Sequence, residues 1–75
     1  MIKKKLTWTE CQKLYPPGTR IRLIHMYDDY PEPDGMTGTI KYYENEFQGT
    51  ICVWWDNGSH LCMLYDVDEW EKISD

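Results

Sequence analysis

The sequence contains no run of apolar residues that approaches the about 20 needed to span a membrane. The start, Met-Ile-Lys-Lys-Lys, is charged like the first part of a secretion signal, but Leu-Thr-Trp-Thr-Glu follows where such a signal needs an apolar stretch. These two absences argue against a membrane protein and against a secreted one. We therefore expect a cytoplasmic protein that does not associate with membranes.

Cysteine is also scarce, and its spacing matches no metal or redox motif. The three residues Cys11, Cys52 and Cys62 are an odd number and include no Cys-x-x-Cys pair, which favours a reduced, cytosolic chain. Cys52 and Cys62 with His60 would supply at most three ligands, fewer than the four of a structural zinc site, so no metal is predicted. The sequence leaves open whether Cys52 and Cys62 ever form a disulfide.

Few side chains are suited to catalysis. The two histidines, His25 and His60, lie beside no Ser, Cys or Asp in a pattern typical of a catalytic triad. Four acidic residues between positions 28 and 34 lack the regular ligand spacing of a calcium loop. We expect a protein that is not an enzyme, with no catalytic residue and no cofactor.

Basic residues are rare after position 22. Residues 1–22 hold six Lys or Arg and one acidic residue, whereas residues 23–75 hold two Lys and twelve acidic residues. An acidic surface repels the phosphate backbone of nucleic acids, which disfavours a general duplex-binding function. The negative charge fits either a requirement for solubility alone or an acidic face made for a basic partner.

The composition is nevertheless that of a folded domain. Hydrophobic residues make up 41% and aromatic residues 15% of the 75 positions, more than a disordered chain carries. A chain of this length has room for one small core. We predict a single domain over residues 1–75, in which residues 1–15 form an N-terminal arm and helix and residues 16–75 form a β-barrel.

A capping box predicts where the helix begins. Thr7 and Glu10 have the spacing at which each side chain accepts a hydrogen bond from the other residue's backbone amide. The predicted helix covers Trp8–Leu14 and ends before Pro16. Its apolar residues recur at helical spacing, which favours a lid over a sheet, and the sequence leaves a free arm as the alternative.

The strongest local signal is Asn57-Gly58, which lies between two apolar runs and predicts a β-hairpin. A three-residue loop with Gly58 in the left-handed conformation directs the large aliphatic side chains inward, whereas a two-residue loop would mix polar and apolar residues on both faces. The favoured register pairs Trp55 with Ser59, Val53 with Leu61 and Ile51 with Met63. It turns four side chains outward: Cys52, Trp54, His60 and Cys62.

Five short strands are predicted in all, at Thr19–Ile24, Met36–Tyr43, Ile51–Trp55, His60–Leu64 and Glu69–Ile73. In the second strand Ile40 and Tyr42 are expected on one face, and Lys41 and Tyr43 on the other. The segment from residue 27 to residue 35 holds two prolines and four acidic residues, and we expect it to be an exposed loop. The pattern favours a mainly β fold, a small five-stranded antiparallel SH3-like barrel with one short N-terminal α-helix. An oligonucleotide-binding barrel is the alternative.

Four segments of the chain carry a family resemblance: Pro17–Leu23, Gly35–Ile40, Val53–Ser59 and Val67-Asp68. Together they resemble a family of small uncharacterised bacterial and bacteriophage domains, whose members combine a PGTRIxL strand, a GxxGxV strand, a VxWDNGSxL hairpin and a closing VD turn. The resemblance covers about residues 16 to 73 and does not include the helix. It implies an SH3-like fold and a bacterial or phage origin, and it transfers no catalytic residue. Trp54 departs from the family pattern, which has an ordinary polar residue there.

Binding is the function class that the sequence favours. Tyrosines and a tryptophan that we expect to be exposed accompany the acidic loop, and aromatic anchors among charged residues are typical of protein interfaces. The leading hypothesis is a non-enzymatic protein-interaction module, a bacterial or phage accessory protein that binds a basic protein or peptide. The predicted partner-binding residues are Tyr27, Asp28, Asp29, Tyr30, Glu32, Tyr43 and Trp54.

Two other functions remain open. The chain could bind single-stranded nucleic acid through a basic track made of Lys3, Lys4, Lys5, Arg20 and Arg22. It could instead sequester a small ligand such as a nucleotide in a pocket between the helix and the aromatic face. An exposed edge strand in so small a barrel allows either a monomer or a weak homodimer.

Overall fold

A computed structural model describes residues 6–73, which form a mainly β structure. One helix and five strands occur in the order α1 (Trp8–Leu14), β1 (Arg20–His25), β2 (Thr37–Glu44), β3 (Thr50–Trp55), β4 (Met63–Leu64) and β5 (Glu69–Lys72). The strands form one antiparallel sheet in the order β4-β3-β2-β1-β5. The predicted class of five antiparallel strands with one short helix is confirmed. The SH3-like barrel is not confirmed, because the sheet is open and has β4 and β5 as its edges.

Helix α1 has the predicted bounds because its first turn satisfies its own backbone amides. The Thr7 hydroxyl accepts a hydrogen bond from the Glu10 amide at 3.1 Å, and the Glu10 carboxylate accepts one from the Thr7 amide at 2.9 Å. The helix ends at Leu14, before the two prolines. No helix within residues 6–73 is long and apolar enough to cross a membrane.

The hairpin between β3 and β4 has the predicted register but a shorter second strand. Gly58 has a φ of 90°, the Trp55 amide donates to the Ser59 carbonyl at 3.3 Å, and Ile51 pairs with Met63. Residues 60–62, predicted as strand, lie outside β4. The backbone groups of Leu61 form hydrogen bonds with side chains. Its carbonyl accepts a hydrogen bond from the Trp55 indole at 2.6 Å, and its amide donates one to the Ser59 hydroxyl at 3.2 Å.

A β-bulge in β2 reverses the predicted facing of two tyrosines. The register between β2 and β3 shifts between Ile40 and Tyr42, and the extra residue exchanges the two faces of the strand beyond it. Tyr43 therefore packs against the core, and Tyr42 is exposed. The expectation that Tyr42 lies inward and Tyr43 outward was wrong.

The core lies between one face of the sheet and α1. Its buried side chains are Cys11, Ile21, Leu23, Met26, Ile40, Ile51, Val53, Trp55 and Met63. The Trp8 ring meets the rings of Tyr43 and Tyr65 edge-on at 5.4 and 5.3 Å, and the Tyr15 ring meets that of Trp70 at 4.5 Å. Helix α1 is therefore a lid on the core.

An ion pair anchors the tip of the β3–β4 hairpin to the rest of the sheet. The Asp56 carboxylate accepts hydrogen bonds from the Arg20 guanidinium at 2.8 and 2.6 Å and from the Thr37 hydroxyl. These donors, Arg20 first, hold the pKa of Asp56 well below its ordinary value of 3.8. The hairpin tip thus depends on an ionised Asp56.

The lowered pKa of Asp56 predicts an acid-sensitive stability. A carboxylate with a lower pKa in the folded state binds fewer protons there than in the unfolded state, so its contribution is present above pH 3.8 and is lost as the pH falls below it. Thermal unfolding of Asp56→Asn should therefore depend less on pH than that of the wild type between about pH 5 and pH 2. Glu46→Gln, which changes an exposed carboxylate on the β2–β3 turn, should keep the wild-type dependence. An unchanged acid dependence in Asp56→Asn would contradict the assignment.

Candidate functional site

A groove of about 660 Å³ opens between α1, the end of β1, the turn at residues 65–68 and β5. Its apolar lining comes from Leu6, Tyr15, Ile24, Tyr27, Val67 and Trp70. Three carboxylates share the lining: Asp66, Asp68 and Glu69. The volume lies within the range of ligand-binding clefts, and the lining combines exposed apolar surface with negative charge.

Tyr27 forms one wall of the groove and is held from three sides. Its amide donates to the Asp68 carboxylate at 2.8 Å, its hydroxyl donates to the Glu69 carboxylate at 2.6 Å, and its ring meets His25 edge-on at 4.6 Å. The hydrogen bond to Glu69 and the nearby carboxylates raise the pKa of Tyr27, so the phenol stays neutral. More than half of the Tyr27 side chain, 57%, remains exposed to a ligand.

Asp68 connects the segments that surround the groove, and its own side chain is almost inaccessible to solvent. It is buried, and its two carboxylate oxygens accept hydrogen bonds from the amides of Tyr27 and Leu64, both at 2.8 Å. One side chain thus joins the end of β1, strand β4 and the turn that leads to β5. Glu69, the next residue, is exposed on the rim. Glu69 and Asp66 therefore carry the exposed carboxylates of the rim.

Residues 27–35, between β1 and β2, are exposed as predicted, with one exception. Tyr30 is 87% exposed, and its amide donates to the Asp28 carboxylate at 3.2 Å. Glu32, predicted as a partner-binding residue in this exposed loop, is buried. It accepts a hydrogen bond from the Asn57 side-chain amide at 2.7 Å. The hairpin tip therefore packs on the loop, and Glu32 serves that contact.

Trp54 is placed on a different surface from Tyr27. It lies on the outer face of β3, 52% exposed, and the Lys41 ammonium lies 5.3 Å from its ring centroid. Its neighbours Val53 and Trp55 point into the core. Trp54 does not line the groove.

Two further predicted residues are not exposed in the way the sequence suggested. The Tyr43 hydroxyl lies under α1, 2.6 Å from the Tyr15 carbonyl and 3.1 Å from the Cys11 carbonyl, and burial raises its pKa. Cys52, expected on the outer face, is only 5% exposed because it contacts the Cys62 sulfur and the Glu44 carboxylate. Cys52 therefore lies on the predicted outer face of β3 but is covered there rather than exposed.

The arginines of the predicted nucleic-acid track are engaged by carboxylates. Arg20 pairs with Asp56 at 2.6 Å, and Arg22 pairs with Glu71 at 3.3 Å. The other members of the track, Lys3, Lys4 and Lys5, lie outside the described residues. Within residues 6–73, both cationic side chains of the predicted nucleic-acid track are therefore paired with carboxylates.

Most residues of the groove were not predicted from the sequence. The sequence patterns predict only strands or a turn for four lining residues, Ile24, Val67, Glu69 and Trp70. Residues 65–70 nevertheless repeat the mixture of aromatic and acidic side chains seen at residues 27–30. That repetition was the available signal. The contact between the two segments through Asp68 was not visible locally, because it joins residues 41 positions apart.

Taken together, the fold and the groove define a small, mainly β domain with one acidic, aromatic concave surface. No group of three or more His, Cys, Asp or Glu side chains in residues 6–73 is arranged to hold a metal ion.

The chain belongs to a family described as "Domain of unknown function (DUF4314)", which matches residues 4–73. The resemblance to a domain of unknown function is thereby confirmed, and the match extends beyond the predicted residues 16–73 to include α1. No curated protein and no solved structure matches the chain.

Proposed function

We propose that this protein is a non-enzymatic interaction module, a cytoplasmic accessory protein of bacterial or phage origin, that binds a basic segment of a partner protein in the groove. The observation that carries the proposal is the combination of exposed apolar side chains with an acidic rim in one concave surface. The free cysteines support the cytoplasmic location.

The apolar part of the groove suits burial against a partner. Tyr27, Ile24 and Val67 are all exposed although each is large and hydrophobic. Burying apolar surface stabilises a complex by about 25 cal/mol for each Å² removed from water. Tyrosine and tryptophan are the residues on which binding energy most often depends, and the groove offers Tyr27 and Trp70.

The charge of the groove selects a cationic partner. Glu69 and Asp66 lie at its rim, and residues 23–75 as a whole carry twelve acidic residues and two lysines. Such a field attracts Lys- or Arg-containing segments and raises their association rate. It repels phosphate, which makes nucleic acid a poor occupant.

The proposal is tested with a random-peptide phage display library selected on the immobilised wild-type protein, followed by calorimetry on the peptides obtained. Selected peptides should contain Lys or Arg next to apolar residues, and their affinity should fall as salt is added. Tyr27→Ala should weaken binding at least about tenfold, because it removes the aromatic wall. Glu69→Lys should also weaken binding, because it reverses the charge of the rim.

Two control variants separate groove charge from total charge. Glu46→Lys makes the same charge reversal on the β2–β3 turn, outside the groove lining, and should bind nearly as the wild type does. Glu69→Gln keeps an oxygen to accept from the Tyr27 hydroxyl while removing the charge. The proposal is wrong if the selected peptides lack basic residues, or if Glu69→Lys and Glu46→Lys bind them equally.

A further inference from the structure

Two cysteines that do not line the groove contact each other on the outer face of the β3–β4 hairpin. The sulfur atoms of Cys52 and Cys62 are 3.0 Å apart, and both are free thiols. The third cysteine, Cys11, is the buried residue of α1 and belongs to the core. The pair is therefore set apart from the remaining thiol by the sheet and the core.

The register of the hairpin puts this pair at a position suited to a disulfide. Backbone hydrogen bonds join Trp55 to Ser59 at 3.3 Å and Tyr65 to Gly49 at 2.9 Å. Hydrogen-bonded and non-hydrogen-bonded pairs alternate along a regular antiparallel ladder. Residues 60–62 lie outside β4, but the register of Ile51 and Met63, continued by one residue, places Cys52 opposite Cys62 at a non-hydrogen-bonded position of that register. The Cα atoms at such a position are about 4.5 Å apart, within the range that a disulfide spans.

We propose that Cys52 and Cys62 form a dithiol site that is oxidised to an intramolecular disulfide by a low-molecular-weight disulfide RSSR. The Cys62 thiol loses its proton and attacks one sulfur of RSSR, which forms a mixed disulfide and releases one RS⁻. The Cys52 thiolate then attacks the Cys62 sulfur and releases the second RS⁻. The protein loses two protons and two electrons, and the reagent gains them to leave as two RSH.

Exposure sets the order of the two steps. Cys62 is partly exposed, whereas Cys52 is buried beneath it, so RSSR reaches Cys62 first. Once Cys62 carries the leaving group, Cys52 is the thiol within reach of its sulfur. Attack within the hairpin then completes the exchange without a second molecule of RSSR.

The surroundings of the pair make it react slowly at neutral pH. Burial, the neighbouring Cys52 and the Glu44 carboxylate raise the pKa of Cys62 to about 12, and Lys41 opposes them. Tyr42 also faces the pair, and its own pKa is raised by Cys52 and Glu44. Because the thiolate is the reactive species, oxidation should accelerate about tenfold for each unit of pH from neutral to about pH 10.

The disulfide would close a loop that contains the hairpin tip and residues 60–62, which lack ladder hydrogen bonds to β3. Cross-linking restricts the unfolded chain more than the folded one, so the oxidised protein should be the more stable form. For a loop of this length in a small domain we expect Tm to rise by about 10 °C on oxidation.

The experiment incubates the full chain with oxidised glutathione at mildly alkaline pH and follows intact mass, non-reducing peptide maps and Tm. We expect the loss of two hydrogens, a cross-link between the peptides of Cys52 and Cys62, and a rise in Tm that dithiothreitol reverses. Cys52→Ser should stop at a single mixed disulfide on Cys62 with no rise in Tm. Cys11→Ser should still form the cross-link.

Several results would overturn the proposal. Stable addition of glutathione to the wild type, a cross-link that contains Cys11, or a disulfide between two chains would each show that the pair does not close. A cross-link that leaves Tm unchanged or lowers it would contradict the stabilising role. Should Cys11→Ser fail to fold, the peptide map of the wild type alone decides between the pairings.

Discussion

Replacement of Trp55 by Ala is expected to destabilise the domain by about 3–5 kcal/mol, enough to unfold much of the population at room temperature. Trp55 is 3% exposed and packs in the centre of the core, and its indole donates to the Leu61 carbonyl at 2.6 Å. The substitution removes the largest core side chain and leaves the partly buried Leu61 carbonyl without its donor. Urea unfolding followed by circular dichroism measures the loss.

Trp54, the adjacent residue, supplies a matched control. It is 52% exposed on the opposite face of β3, so Trp54→Ala should cost less than about 1 kcal/mol. Trp55→Phe separates the two contributions of Trp55, since it keeps an aromatic ring and loses the hydrogen bond, at an expected cost of about 1–2 kcal/mol. Equal losses for Trp54→Ala and Trp55→Ala would show that the two faces of β3 have been assigned incorrectly.

A methyl group added at Gly38 is expected to destabilise the protein by about 1–3 kcal/mol. A Cβ atom there would lie 2.9 Å from the Trp54 carbonyl oxygen, from the Trp55 ring and from a Val53 methyl group. The carbonyl belongs to the backbone of the neighbouring strand and the ring is fixed in the core, so neither can move away cheaply. Urea unfolding of Gly38→Ala should give a lower midpoint with little change in slope.

Gly35→Ala is a comparison variant that adds backbone strain without a steric clash. Gly35 has a φ of 88° with open space around its Cβ position, so this substitution brings the strain of the left-handed conformation and no clash. We expect a cost of about 1 kcal/mol, smaller than that of Gly38→Ala. If Gly38→Ala unfolds at the same urea concentration as the wild type, the close packing of β2 on β3 at this point is contradicted.

The elements that the sequence predicted correctly are those specified by neighbouring residues. The bounds of α1 follow from Thr7 and Glu10, which are three positions apart and satisfy each other's amides. The register of the β3–β4 hairpin follows from Gly58 and from the alternation of aliphatic residues around it. In both cases the determining contacts lie within a few residues of chain, so a local pattern was sufficient.

The errors have non-local causes. The bulge between Ile40 and Tyr42 could not be predicted from the sequence. Positions 42 and 43 are both tyrosine, a residue type that suits either face of the strand, so the pattern does not show which of them lies inward. Glu32 lies in a segment whose composition is typical of an exposed loop, yet Asn57, 25 positions away, covers it. The groove likewise joins α1, β1 and β5, and its existence depends on how distant segments pack.

Within residues 6–73 no backbone–backbone hydrogen bond joins α1 to the sheet. The helix is attached by side-chain contacts, among them the hydrogen bonds from the Tyr43 hydroxyl to the Cys11 and Tyr15 carbonyls. A helix of seven residues has little stability of its own. Local unfolding of α1 therefore breaks ring contacts and the Tyr43 hydrogen bonds while the strand ladders stay intact. Because Leu6 and Tyr15 form one wall of the groove, this opening removes the proposed binding surface before the domain unfolds. If a partner binds in the groove as proposed, it should hold this wall in place and slow hydrogen exchange at the amides of α1 more than at those of β2 and β3.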